Sequence, residues 1–148
     1  MKNPRKWLAV VIPVALLAIV VLIISGSNRD SSLPTDEQIT EVVFLIGSEI
    51  PDLLANGRYA MIEFGGRSCT PCKKMQPILT ELIAEHGETI DIVNVYLDED
   101  FAPADSFDVY ILPTQVIFDR NGEELSRHLG FWPKSEIEEV YRSLGIIE

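Results

Sequence analysis

Eighteen consecutive positions, Trp7 to Ile24, carry no charged side chain and are apolar on every face of a helix drawn through them. At about 1.5 Å per residue such a helix is roughly 27 Å long, close to the hydrocarbon thickness of a bilayer. The run therefore predicts a single membrane-spanning helix, in which Pro13 is tolerated and Trp7 suits the interface. A secretory signal has an apolar stretch of about 7–15 residues, shorter than this one. An uncleaved anchor is therefore expected, although Ser25-Gly26-Ser27 offers small residues for cleavage. Residues 25–34, SGSNRDSSLP, are small and polar and read as a tether.

Beyond the tether the pattern changes to alternating short elements. Thr35 and Gln38 are spaced as a capping box, and Ile39, Val42, Val43 and Ile46 recur at helical spacing, predicting an opening helix. A short helical piece, PDLLANG, ends at Gly57. Tyr59 to Phe64 is almost wholly apolar and reads as a central strand, broken by Gly65-Gly66. A helix is expected from Thr70 to Glu85, with Met75, Ile78, Leu79, Leu82 and Ile83 apolar and Gly87 as its stop. Ile90 to Leu97 predicts a second strand. Asp98 to Ser106 is an acidic loop or short helix. Gln115 to Phe118 and Glu123 to His128 are strands joined by the turn signal Asn121-Gly122. Lys134 to Leu144 closes the chain as a helix. A strand–helix–strand crossover followed by a hairpin and a helix implies an α/β fold: a central mixed sheet with helices on both faces. The organisation is a cytoplasmic N-terminus at 1–6, an anchor at 7–24, a tether at 25–34 and one domain at 35–148.

Charge sharpens this picture. Lys2, Arg5 and Lys6 precede the apolar run, and no acid appears before Asp30. By the positive-inside rule the N-terminus stays in the cytoplasm and the domain is extracytoplasmic, periplasmic in a bacterium with two membranes. From Arg29 onward nine basic residues face 23 acidic ones. Such a surface argues against nucleic acid or an anionic lipid surface as the domain's partner.

Both cysteines lie in RSCTPCKKMQP, at Cys69 and Cys72. A structural zinc site needs four ligands, and the two histidines, His86 and His128, do not complete any common spacing. No metal and no cofactor is expected, although a two-thiolate copper(I) site stays chemically possible. A permanent disulfide closing so short a loop would add little chain-entropy stabilisation. Redox chemistry fits better. Cys69 precedes a helix with Pro71 in its first turn, and the partial positive charge of a helix N-terminus favours a thiolate. Cys69 is thus the expected nucleophile and Cys72 the resolving thiol.

With the pair set between a strand and a helix, the chain resembles the thioredoxin family over residues 35–148. MIEFGGRSCTPCKKMQPIL is similar to that family's strand, active-site loop and helix, with Pro77 at the position of the proline that kinks the helix. YILPTQVIF resembles its cis-proline segment, and FDRNGEELSRHLG its final hairpin and the glycine after it. The resemblance implies a redox-active disulfide, Pro113 in cis facing it, and Glu63 at the place of the family's buried acid, a candidate general base. It also implies a substrate-facing rim of Leu112, whose backbone would bond the partner chain, with Thr70, Pro71 and Gly130. Three positions depart from the family pattern: Ser68 and Gly65 stand where aromatics are usual, and Thr70-Pro71 replaces Gly-Pro. Phe131 and Trp132 can rebuild an apolar rim or simply pack.

The expected activity is thiol–disulfide exchange with extracytoplasmic protein disulfides, in the reducing direction. By family analogy the electrons come from a transmembrane thiol donor of the cytochrome c biogenesis type. The rival expectations are a disulfide-forming oxidant, a copper(I)-binding module and a non-catalytic interaction domain.

Overall fold

The computed structural model describes residues 41–148. The predicted anchor, the tether and the start of the predicted opening helix lie outside the described residues. Among the described residues no helix is long and apolar enough to cross a membrane.

Five strands form one mixed sheet: β1 (Val43–Leu45), β2 (Tyr59–Gly65), β3 (Ile90–Tyr96), β4 (Thr114–Phe118) and β5 (Glu124–Leu129). Their spatial order is β1-β3-β2-β4-β5. β3 runs parallel to both β1 and β2, whereas β4 is antiparallel to both β2 and β5. The helices are α1 (Ile50–Leu54), α2 (Thr70–His86), α3 (Ala102–Ser106) and α4 (Lys134–Ser143).

One expectation is corrected. Val42 to Ile46 was expected to be helical, but Val43–Leu45 is an edge strand whose Val43 and Leu45 lie opposite Val93 and Val95. Val42, Val43, Phe44, Leu45 and Ile46 form an unbroken apolar run, which satisfies the helical period and a strand equally. The open edge of β3 decides between them, because it offers backbone partners that a helix there would leave unused.

β2 is central and buried on both faces, and alternation sends its side chains to opposite sides. Met61 joins Met75, Leu79 and Leu82 of α2, Ile92 and Ile117 of the neighbouring strands, and Ile137 and Tyr141 of α4. Ala60, Ile62 and Phe64 face the other way, onto Ile50 of α1, Ala104 of α3, Val93, Val95 and Val116. Each fully buried Leu or Ile in these clusters contributes about 1.5–3 kcal/mol of transfer free energy. Two polar contacts tie α4 to β2 and the loop before α4 to α2. The Tyr141 hydroxyl donates to the Met61 sulfur at 3.1 Å, and the Trp132 backbone N–H donates to the Met75 sulfur at 3.3 Å. The β4–β5 turn is held by the Asp119 carboxylate, which accepts from the backbone N–H groups of Asn121 and Glu123, both at 2.8 Å. Gly122 takes φ +79°, the left-handed conformation that favours glycine there.

Candidate active site

Register brings three chain segments to one end of the sheet. Phe64 lies opposite Thr114, and Thr114 opposite Leu129. Gly65, Pro113 and Gly130 therefore sit side by side where β2 ends and the cysteine loop begins. The Leu112–Pro113 peptide bond is cis. The Gly130 N–H donates to the Pro113 carbonyl at 2.7 Å, fixing the loop after β5 against the proline. A Cβ on Gly66 would lie 3.6 Å from the Leu112 side chain, so the two loops are in contact.

Cys69 is the N-cap of α2, and Pro71 lies in the first turn. The cysteines are joined, with S–S 2.02 Å and Cα–Cα 5.3 Å. The Cys69 sulfur also accepts the Cys72 backbone N–H at 3.2 Å, one of the amides a helix start leaves without a backbone partner. Cys69 is half-buried, whereas Cys72 is 1% exposed. The first turn of α2 contains no acid, and the Lys73 and Lys74 that follow are exposed. Arg67 is engaged elsewhere: its backbone N–H donates to Asp98 at 2.9 Å, its guanidinium pairs with Glu99, and it lies over the Tyr96 ring.

Beneath Cys72 the sheet is polar. Glu63 is fully buried and shares its face of β2 with Met61 and Gly65. Cys72 packs over Gly65, where a Cβ would stand 3.5 Å from its sulfur. Glu63 lies opposite Asn94 on β3 and Gln115 on β4. Asn94 Nδ2 donates to one carboxyl oxygen at 3.2 Å, and Gln115 Nε2 to the other at 3.1 Å. Burial pushes the Glu63 carboxyl up from 4.5 to about 7, and the hydrogen bonds from Gln115 and Asn94 pull the other way. Asn94 and Gln115 were not singled out from the sequence. Their signal was present, a lone amide in each of the apolar strands IDIVNVY and TQVIF.

The rim also takes shape. Thr70, Pro71 and Leu112 are exposed, as are Tyr110, Ile111 and Phe131. Trp132 instead is core packing, 4% exposed, with the His128 ring stacked on it at 4.5 Å. His86 lies at the far end of α2 from Cys69, within 3.2 Å of Glu138.

A family model described as Thioredoxin matches residues 42–143. The chain belongs to the thioredoxin family. A thioredoxin from Staphylococcus haemolyticus is 34% identical over 80 residues, which are 54% of this chain and 76% of that protein. Thioredoxin from Staphylococcus aureus is 32% identical over the same shares. Among solved structures, oxidised mitochondrial thioredoxin 3 from Saccharomyces cerevisiae superposes with a TM-score of 0.61 at 26% identity, over 69% of this chain and 94% of that one. Chloroplastic thioredoxin z shares the fold, with a TM-score of 0.65 at 22% identity, over 71% of this chain and 95% of that one. This thioredoxin-family chain is a thiol–disulfide oxidoreductase. Its redox centre is the Cys69–Cys72 pair, and the substrates of the family are protein disulfides.

Proposed function

We propose that the protein reduces disulfides of extracytoplasmic proteins, with Cys69 as nucleophile, Cys72 as resolving thiol and Glu63 as the proton acceptor. The observation that carries this reading is the asymmetry of the pair: Cys69 is the partly exposed cap of α2, and Cys72 is buried over the Glu63 side of the sheet.

In the dithiol form the Cys69 thiolate, favoured by the helix N-terminus, attacks a substrate disulfide. One substrate sulfur leaves as a thiolate and takes a proton from solvent, and a mixed disulfide joins Cys69 to the other. The Cys72 thiol then passes its proton to the Glu63 carboxylate and attacks the Cys69 sulfur. The Cys69–Cys72 disulfide forms and the second substrate thiolate is released. Two electrons have moved from the protein to the substrate. Glu63 titrates near 7, so at neutral pH it is about half ionised, suited to accepting the proton and later returning it. The second thiol is held at high effective concentration, which favours release over accumulation of the mixed disulfide. Leu112, beside the cis bond, offers its backbone to an extended partner segment, with Thr70, Pro71 and Gly130 around it.

The apolar run at 7–24, with Lys2, Arg5 and Lys6 before it, supports an anchor that leaves the domain outside the cytoplasm. In that position the protein needs reducing equivalents from across the membrane, supplied by a transmembrane thiol donor of the cytochrome c biogenesis type. Reduction of a soluble protein disulfide by the full-length chain in detergent tests the activity. Turnover with dithiol as electron source, lost in Cys69→Ser, is the expected result. Equal rates for wild type and Cys69→Ser would overturn the assignment. Protease added to spheroplasts, in which only the cytoplasmic membrane is intact, should degrade the domain, and complete protection would overturn the topology.

A further inference from the structure

Two buried side-chain oxygens near the centre have no hydrogen-bond partner among the described residues: Asn94 Oδ1 and Gln115 Oε1. Each belongs to an amide whose nitrogen already holds Glu63. Asn94 Oδ1 differs in where it sits. It lies 3.5 Å from the point a Cβ on Gly65 would occupy, and the Cys72 sulfur lies 3.5 Å from the same point. Asn94 Oδ1 and the Cys72 sulfur thus both border the space that the absent side chain of Gly65 leaves open.

In the disulfide Cys72 has no proton to donate. Once reduced it carries an S–H at a position 1% exposed, and a buried donor needs an acceptor. We propose that Asn94 is a positioning residue with two ends: its N–H holds the Glu63 carboxyl, and its carbonyl oxygen accepts the Cys72 S–H in the reduced protein. Gln115 is a positioning residue with one such end, on Glu63 alone. The inference rests on the assignment of Cys72 and Glu63 given above.

The groups packed around the carboxyl are consistent with this arrangement. From β3 come Asn94 and, two residues on along the same face, Tyr96. Burial raises the Tyr96 hydroxyl, Arg67 opposes, and the charges of Glu63 and Asp98 add. From β4 comes Gln115, and Cys72 of α2 lies over Gly65, the next residue on the Glu63 face of β2. No lysine or arginine among the described residues bonds Glu63, so the two amides are its only side-chain donors. An amide can serve both neighbours because it offers donor and acceptor on one rigid plane.

The test uses the full-length chain in detergent carrying Cys69→Ser, so that Cys72 is the sole thiol. The infrared S–H stretch reports its hydrogen bond, and the carboxyl carbon resonance of Glu63 reports its titration. Asn94→Leu is expected to move the S–H band to the higher, unbonded frequency, while Gln115→Leu leaves it in place. Both are expected to raise the Glu63 titration by about one pH unit, through loss of a charge-assisted donor. An S–H band unmoved by Asn94→Leu, or a Glu63 titration unmoved by either variant, would overturn the proposal. Should Asn94→Leu not fold, Asn94→Ala removes the same carbonyl with a smaller side chain. It is expected to move the S–H band in the same direction, and an unchanged band overturns the proposal. These readouts need no turnover. A loss of exchange activity therefore speaks to the functional reading, and a static band to this one.

Discussion

Glu63 and Gln115 face each other across the β2–β4 ladder, and the Gln115 amide donates to the Glu63 carboxyl at 3.1 Å in a fully buried layer. A carboxyl with amide donors and no cation is held, but not neutralised. Its cost therefore depends on pH. The carboxyl titrates near 4.5 when solvated and near 7 in the fold, so the folded state binds the proton more tightly. The corresponding stability is complete below about pH 4.5 and is lost as pH rises through about 7, by about 3 kcal/mol. Glu63→Gln cannot ionise, and its own N–H can meet one of the orphaned amide oxygens. Urea denaturation of the oxidised protein should show the variant gaining about 1–3 kcal/mol on wild type between about pH 5 and about pH 8. Parallel pH profiles for the two proteins would contradict it.

Met75 joins α2 to the loop that follows Gly130. Met75→Leu nearly conserves volume, so the cavity cost is small. It also leaves the buried Trp132 N–H without its sulfur acceptor, and an orphaned donor costs about 1–3 kcal/mol. The expected loss is about 1–2 kcal/mol in urea unfolding followed by Trp fluorescence. A loss under about 0.5 kcal/mol would show that the N–H···S contact contributes little.

Cys72→Ser removes the proposed resolving thiol and keeps Cys69, the half-buried cysteine proposed as nucleophile. The variant should accumulate a mixed disulfide with a protein substrate that wild type releases, visible as a reducible higher-mass band on a gel. Accumulation through Cys72 in a Cys69→Ser variant instead would reverse the assigned roles.

Lys134 sits among carboxylates, 3.5 Å from Glu81 and 3.8 Å from Glu138, with a closer pairing to Glu85. Glu81 and Glu85 are exposed, Lys134 and Glu138 half-buried, and ion pairs at a surface are screened by salt. Lys134→Met should lower the urea midpoint at low salt, and the difference should vanish at about 1 M salt, where the screening length is about 3 Å. A salt-independent loss would point to packing of the lysine stem instead.

The motif-bearing parts of this structure are those whose local chemistry is self-contained. β2 and α2 are legible because an apolar strand, two glycines, a capping cysteine and Pro71 punctuate the chain there, and Asn121-Gly122 marks its own turn. The cis bond at Pro113 and the burial of Glu63 are not carried by local pattern: both are implied by the thioredoxin resemblance, and the structure has the bond cis and the carboxyl buried. What local pattern cannot carry is pairing. Val43–Leu45 reads as helix until the free edge of β3 is present to receive it. Asn94 and Gln115 look like isolated polar interruptions, and only sheet register places both beside Glu63. The anchor proposed at 7–24 is read from the apolar run and flanking charge, outside the described residues.

The central claim is a dithiol that gives electrons to protein disulfides. The most direct test is the reduction potential of Cys69–Cys72 in the full-length chain, equilibrated in detergent with defined thiol redox buffers. A value near the thioredoxin range, roughly −270 mV, is the predicted result. A value near roughly −120 mV, typical of strongly oxidising relatives, would contradict the reducing direction and with it the need for a transmembrane electron supply.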